Sequence, residues 1–264
     1  MAVFSDSSQI AFNMVEMGIK KAARPAGREF LLAILAGVYI GLAAHFSTLA
    51  AAGEVPWLGL KKIIQGLVFS LGLILVVIPG AELFTGNCLL SAAVLEKKVR
   101  PAAMVKNWLL VWTGNFAGAL FMAVFIVLGT GLVRGIFAEA ALEIAAAKCA
   151  LPGWTIFIRG IGANWLVCLG VLMAMASGDA AGKILGMIFP VTAFVAMGFE
   201  HGIANMYFIP AALLLNPQGY PALNWINGIK NIIIATGGNI VGGAFFVGAL
   251  YWFIYVRPPK ASKK

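Results

Sequence analysis

The residues best suited to chemistry in this chain come in two matched sets. Gly80-Ala-Glu-Leu-Phe-Thr-Gly-Asn87 and Gly198-Phe-Glu-His-Gly-Ile-Ala-Asn205 share one frame: Gly, one residue, Glu, three residues, a small residue, Asn. Each interrupts a long apolar run. The carboxylates Glu82 and Glu200 can accept hydrogen bonds from backbone N–H groups freed by a helix break, and their matched positions suit that structural role. His201 is different: its counterpart is Leu83, so the frame itself does not require an imidazole there. A histidine at such a break can accept, donate or share a proton. Thr85, matched by Ile203, offers a hydroxyl to a permeant species, to His201 or to local backbone. Asn87 and Asn205 close the two frames. The remaining intramembrane ionisable candidates are His45, late in the first apolar run, and Arg159, early in the fourth.

The elements that must position these residues follow from composition. Of the 264 residues, 61% are hydrophobic and only 11% charged, against roughly 25% charged in soluble domains. The chain therefore reads as an all-α polytopic membrane protein. Six spans are expected: about 30–52, 63–95 with a break at 79–87, 107–133, 154–176, 184–215 with a break at 198–205, and 228–256. Each unbroken span exceeds the roughly 20 residues that cross a bilayer. Polar breaks are costly in a membrane helix unless they line a cavity. Two such breaks in corresponding places point to a transport site near the midplane.

The halves repeat beyond the breaks. Thr113-Gly-Asn-Phe-Ala-Gly118 resembles Gly237-Gly-Asn-Ile-Val-Gly242. Three spans per copy is an odd number, so the second copy must insert with opposite polarity, giving an inverted 3+3 repeat over about 30–133 and 154–256. Residues 1–29 form an amphipathic lead-in, with Ile10, Met14, Val15 and Met17 on one face, suited to the membrane interface. No cleaved signal peptide is expected. Residues 257–264 form a basic tail, and the longest linker is the loop between Gly135 and Gly153. Thirteen Lys and Arg residues fall on the side of both termini and five on the other, which places the termini in the cytoplasm. The net charge of +9 fits loops facing an anionic leaflet rather than nucleic acid. Cys88, Cys149 and Cys168 are odd in number and scattered, and the two histidines have no paired spacing, so no disulfide framework, metal site or cofactor is expected.

The Phe84-Thr85 pair after Gly80-x-Glu82, the string Gly198-Phe-Glu-His-x-Ile-Ala-Asn-Met206, and Gly238-Asn-Ile-x-Gly-Gly243 together resemble the formate/nitrite transporter family. The similarity spans roughly residues 28–256. It implies an aquaporin-like fold in a homopentamer, each protomer with its own pore for small monovalent anions: formate, nitrite or hydrosulfide. By that resemblance His201 is the central histidine and Thr85 the threonine of a flexible loop. Phe69 and Leu73 form the cytoplasmic slit, and Phe194 belongs to the opposite apolar ring. Lys148 is the vestibule lysine, and Asn164 and Asn239 are pore asparagines. Pro79 departs from the family pattern and would stiffen the approach to the Thr85 loop.

The expected mechanism is passage of a weak-acid anion that takes or shares a proton near His201 and crosses the apolar rings nearly neutral, after Lys148 has concentrated it at the mouth. Formate is the leading substrate as the family's commonest. The Thr85-Gly86-Asn87 sequence leaves hydrosulfide open, and a channel and a proton-coupled transporter would use the same pore. Three other readings compete. A neutral-solute pore of the water-channel type would carry paired Asn-Pro-Ala boxes, which this chain lacks. An intramembrane enzyme using Glu200 and His201 would need a nucleophile or a metal set. A pure scaffold would gain nothing from midplane polar groups.

Overall fold

Asp6 begins the helical architecture by accepting the Gln9 N–H at 2.8 Å, an N-cap that starts α1 (Ser7–Ala22). The computed structural model describes residues 4–54, 56–215 and 218–257, and all the regular structure in them is helical. The first half continues with α2 (Ala26–Ala51), α3 (Leu58–Val77), the single turn α4 (Phe84–Asn87), α5 (Leu90–Leu95) and α6 (Pro101–Val124), which runs on as π-helical turns over Phe125–Thr130. Pro101 suits the first turn of α6, where its missing N–H costs nothing. After α7 (Ile136–Cys149) the second half repeats the plan with α8 (Gly153–Ala176), α9 (Ala180–Ala196), α10 (Gly202–Leu213) and α11 (Trp225–Ile240), the last extended by π turns Val241–Ala249 and Trp252–Val256.

Five of these helices, Ala26–Ala51, Leu58–Val77, Pro101–Thr130, Gly153–Ala176 and Trp225–Val256, are long and apolar enough to cross a bilayer. Helix α2 packs against α3 and α6, α8 packs against α9 and α11, and α3 meets α9 between the halves.

Both breaks fall where expected but are shorter. Helix α3 ends before Gly80, at φ +88°, and α9 ends before Gly198, at φ +71°. The Ala81 N–H reaches back to the Val76 carbonyl (2.8 Å) and the Phe199 N–H to that of Phe194 (3.0 Å). These are paired glycine C-caps, in which the left-handed residue lets the next N–H satisfy an orphaned carbonyl. The shared frame thus begins with Gly for a backbone reason. Helix resumes by Phe84 and by Gly202, so Thr85 lies in a fully buried single helical turn.

Two other expectations are corrected. The segment between Gly135 and Gly153 is mostly α7, not loop. Helix α1 buries Ala11, Met14, Val15 and Gly18 against the protein, chiefly on α5, so its apolar face meets the bundle rather than the membrane interface. Of the basic tail, Lys260, Lys263 and Lys264 lie outside the described residues.

Candidate functional site

Two asparagines hold the breaks open. Asn115 donates its amide to the Ala33 and Glu82 carbonyls (2.7 and 2.8 Å) and accepts the Phe84 N–H at 2.9 Å. Asn239 does the same for the Gly160 and Glu200 carbonyls (2.8 and 2.9 Å) and the Gly202 N–H at 2.8 Å. Each side chain satisfies one carbonyl and one N–H that a continuous helix would have paired internally, and its third bond ties the break to the neighbouring α2 or α8. Asn164 donates to the Thr85 and Asn239 carbonyls (3.1 and 2.7 Å), pinning the first break to the second half. Asn164 and Asn239 are fully buried and spent on backbone. They act as staples between the breaks and the neighbouring helices.

The two glutamates bond differently from expectation too. Their carboxylates take side-chain rather than backbone donors, because Asn115 and Asn239 already serve the freed N–H groups. Glu82 accepts from Lys21 (2.6 Å), from Asn87 (2.9 Å) and from Arg24, which also pairs with Glu29 at 3.2 Å. Lys21 donates to the Asn87 side-chain Oδ1 as well, at 2.7 Å. Glu200 accepts from Lys148 (3.1 Å), Asn205 (2.7 Å) and Asn231 (3.3 Å). Asn107 receives the Asn87 amide as Asn231 receives that of Asn205. The halves thus carry equivalent clusters of Glu, Asn, Asn and Lys, and the lysines come from non-equivalent elements, α1 and α7. Lys148 makes fewer hydrogen bonds than Lys21: its Nζ donates to Glu200 and lies 5.5 Å over the Phe208 ring, and the Asn205 side-chain Oδ1 has no hydrogen-bond partner among the described residues.

His201 caps α10. Its Nδ1 accepts the Ala204 N–H at 3.1 Å. A nitrogen that accepts carries no proton, so the hydrogen of the neutral ring sits on Nε2, which donates to Thr85 Oγ1 at 3.0 Å. A second proton at Nδ1 would face the Ala204 N–H donor to donor. The ring is 2% exposed and stacks on Phe194 with centroids 5.7 Å apart.

Two cavities approach this pair from opposite sides. The first, about 230 Å³, is lined by Lys62, Lys148, Arg159 and Glu200 and reaches His201 past Phe69 and Phe194. The second, about 260 Å³, is lined by Lys21, Lys183, Glu82, Leu73 and Leu83. Phe69 and Leu73 therefore part company. Phe69 packs edge-on against Phe194 at 5.7 Å and stacks with Phe208 at 6.5 Å, in the Lys148 cavity, whereas Leu73 lines the other. One helical turn separates them, enough to put them on opposite sides of the constriction. Thr85 sits between the cavities.

Sequence reading passed over Lys62 and Gln65 in the first cavity and the service of Lys21 and Arg24 to Glu82. A polar or charged residue one or two turns inside an apolar helix, as Lys62 and Gln65 are, was the available signal. His45, by contrast, meets Tyr207 edge-on at 6.3 Å, beside a separate small cavity. No cluster of potential metal ligands occurs among the described residues.

The comparisons agree with this geometry. A family profile described as formate/nitrite transporter matches residues 8–253. The chain is 42% identical over 260 residues to a probable formate transporter of Methanothermobacter thermautotrophicus, covering 90% of this chain and 92% of the relative. It is 36% identical to the formate channel FocA of Escherichia coli, covering 92% and 91%. A solved pentameric formate channel with formate bound superposes with a TM-score of 0.79 at 38% identity, over 88% of this chain and 98% of that one. The named relatives are membrane transporters and channels, and this chain belongs to the formate/nitrite transporter family.

Proposed function

We propose that this protein conducts formate across the cytoplasmic membrane through a pore in each protomer of a homopentamer with an aquaporin-like fold. The substrate and assembly follow from the formate channels and transporters it is similar to. The observation that carries the mechanism is the His201–Thr85 hydrogen bond placed between two opposed, positively lined cavities. In the first cavity Lys62, Lys148 and Arg159 outnumber Glu200, a surplus that raises the local anion concentration. Phe69, Phe194 and Phe208 then exclude hydrated ions. The α10 N-terminus adds a positive helix end at His201.

The Ala204 cap favours a particular form of proton assistance. With Nδ1 engaged as an acceptor, the ring offers its Nε2–H to the anion as a hydrogen bond, and Thr85 turns its own hydroxyl hydrogen toward the same oxygen. The anion shares protons with the pair while it is desolvated, which offsets part of the cost of passing the aromatic ring. Full protonation to formic acid would draw its proton from the aqueous cavities. Lys21, Arg24, Arg100 and Lys106 gather at one end, which favours a cytoplasmic setting for that end and for the N-terminus. Nitrite and hydrosulfide have similar size and charge and would meet the same groups.

The test is flux into proteoliposomes with formate, nitrite or hydrosulfide at several pH values. Formate flux that rises as pH falls supports the reading. Water or glycerol permeation without anion flux would replace it with a neutral-solute pore.

A further inference from the structure

A second basic site lies beside the pore and shares only Lys21 with the cavities that approach His201. A cavity of about 420 Å³ opens between the C-terminal end of α1, the start of α2 and the start of α6, with Lys21, Arg24, Arg100 and Lys106 in its wall. Lys21 and Arg24 are already paired with Glu82, and Arg24 with Glu29. Arg100 and Lys106 are exposed and have no ion-pair partner among the described residues. The one acidic residue in the wall, Glu29, is occupied by Arg24 and by the Asn107 amide at 2.7 Å. The site therefore presents unspent positive charge, reinforced by the N-terminal end of the 24-residue α6.

This cavity opens onto a shallow apolar groove formed by one exposed face of α6 alone. Ala102, Lys106 and Leu110 border both, and the groove runs along α6 past Val105 and Leu109 to Thr113. Leu109 is 63% exposed on a helix apolar enough to span the bilayer. From Lys106 to Thr113 the helix rises about 10 Å, so the groove leads from the charged end toward the hydrocarbon.

We infer that this is a binding site for an anionic phospholipid, with the phosphate between Arg100 and Lys106 and an acyl chain along Val105, Leu109 and Thr113. A free inorganic anion would use the cations and leave the groove empty. The unpaired charge selects an anionic headgroup over a zwitterionic one. The inference depends on the chain spanning a membrane and not on which anion the pore passes.

Native mass spectrometry of the full chain in detergent, with phosphatidylglycerol or phosphatidylcholine titrated in, tests it. Phosphatidylglycerol is expected to be retained in preference. The double variant Arg100→Gln/Lys106→Gln should lose about thirtyfold in affinity for it, or about 2 kcal/mol, two basic residues' worth. Leu109→Gln keeps every cation and should weaken the long-chain lipid while leaving a dihexanoyl analogue unchanged. Equal retention of the two lipids, or unchanged affinity in both variants, overturns the proposal. So does inorganic phosphate binding with the affinity of phosphatidylglycerol and the same loss in Arg100→Gln/Lys106→Gln, which would assign the site to a free anion. Protection of Leu109→Cys from a maleimide in lipid-free oligomer would show a second copy in the groove, and would also overturn it.

Discussion

Thr85 and His201 are 116 residues apart in sequence and 3.0 Å apart in space. One belongs to the turn that follows the first break and the other caps the helix that follows the second. Their hydrogen bond is therefore a contact between the two repeats, made where a continuous helix in either half would have prevented it. It exists because the repeats diverged: Thr85 stands where the second half has Ile203, and His201 where the first has Leu83. The scaffold is common to both halves, and the polar pair is assembled from one departure in each.

Capping and proton sharing use different nitrogens of His201, so substitution can separate them. In His201→Asn the side-chain oxygen can still accept the Ala204 N–H, since Asn is among the best N-caps, but nothing reaches Thr85. This variant is expected to keep the cap, to lose about 1–3 kcal/mol with the buried Thr85 bond and the stacked ring, and to lose pH-dependent formate flux in proteoliposomes. His201→Phe keeps a ring against Phe194 but loses the cap, at about 1 kcal/mol, and should lose flux too. Wild-type flux in either variant would remove the imidazole from the mechanism.

Lys148 makes a single bond to Glu200, while Lys21 makes two in the equivalent cluster. Replacement by Gln leaves Glu200 its two amide donors from Asn205 and Asn231 and removes a cation from the vestibule. Initial uptake at low external formate is expected to slow, with the deficit shrinking as substrate or salt is raised, because the effect is local concentration. An unchanged initial rate at low ionic strength would reject the electrostatic funnel.

Much of this was legible in sequence because it rests on periodicity and repetition. Apolar run length gave the spans, and the duplicated Gly-x-Glu-x-x-x-small-Asn frame gave the breaks, since a left-handed cap needs glycine wherever it occurs. The wall to which Phe69 belongs was not legible. Phe69 and Leu73 are four residues apart on α3, and only the crossing of α9 decides that the first meets Phe194. Nor could sequence separate Asn239, a staple, from a lining asparagine: both are polar residues on an apolar helix, and the difference lies in which carbonyls stand nearby. Lys21 escaped because a helix outside the repeats delivers it.

The staples make an equal-and-opposite pair for a stability test. Asn115→Ala and Asn239→Ala each delete three hydrogen bonds to buried backbone. At about 1 kcal/mol apiece, with further cost for carbonyls left unpaired, each should destabilise by about 3 kcal/mol or more. Asn→Asp at either position should do no better, because the carbonyls need a donor that a carboxylate lacks. Thermal unfolding in detergent measures this. A loss below about 1 kcal/mol in both alanine variants would mean that water or a relaxed backbone serves the breaks instead.

Close helix crossings supply the last prediction. A Cβ built on Gly118 would lie 2.1 Å from the Ile34 carbonyl oxygen, and one on Gly242 would lie 2.2 Å from that of Ile161. These are equivalent positions in the two repeats, at the crossings of α6 over α2 and of the extended α11 over α8. The obstruction is backbone, which cannot rotate aside, so Gly118→Ala and Gly242→Ala must push whole helices apart. Each should cost about 1–3 kcal/mol. Because Gly242 follows Asn239 by one turn, its variant should also loosen the second break and depress flux in the fraction that folds. Gly27→Ala, where an added Cβ would meet nothing within 4 Å beyond its chain neighbours and its own helical backbone, is the control: it adds the same methyl to a helix and should be neutral or slightly stabilising. Equal thermal stability of Gly242→Ala and Gly27→Ala would show that the crossing tolerates a methyl group and that close backbone contact does not fix the position of the break.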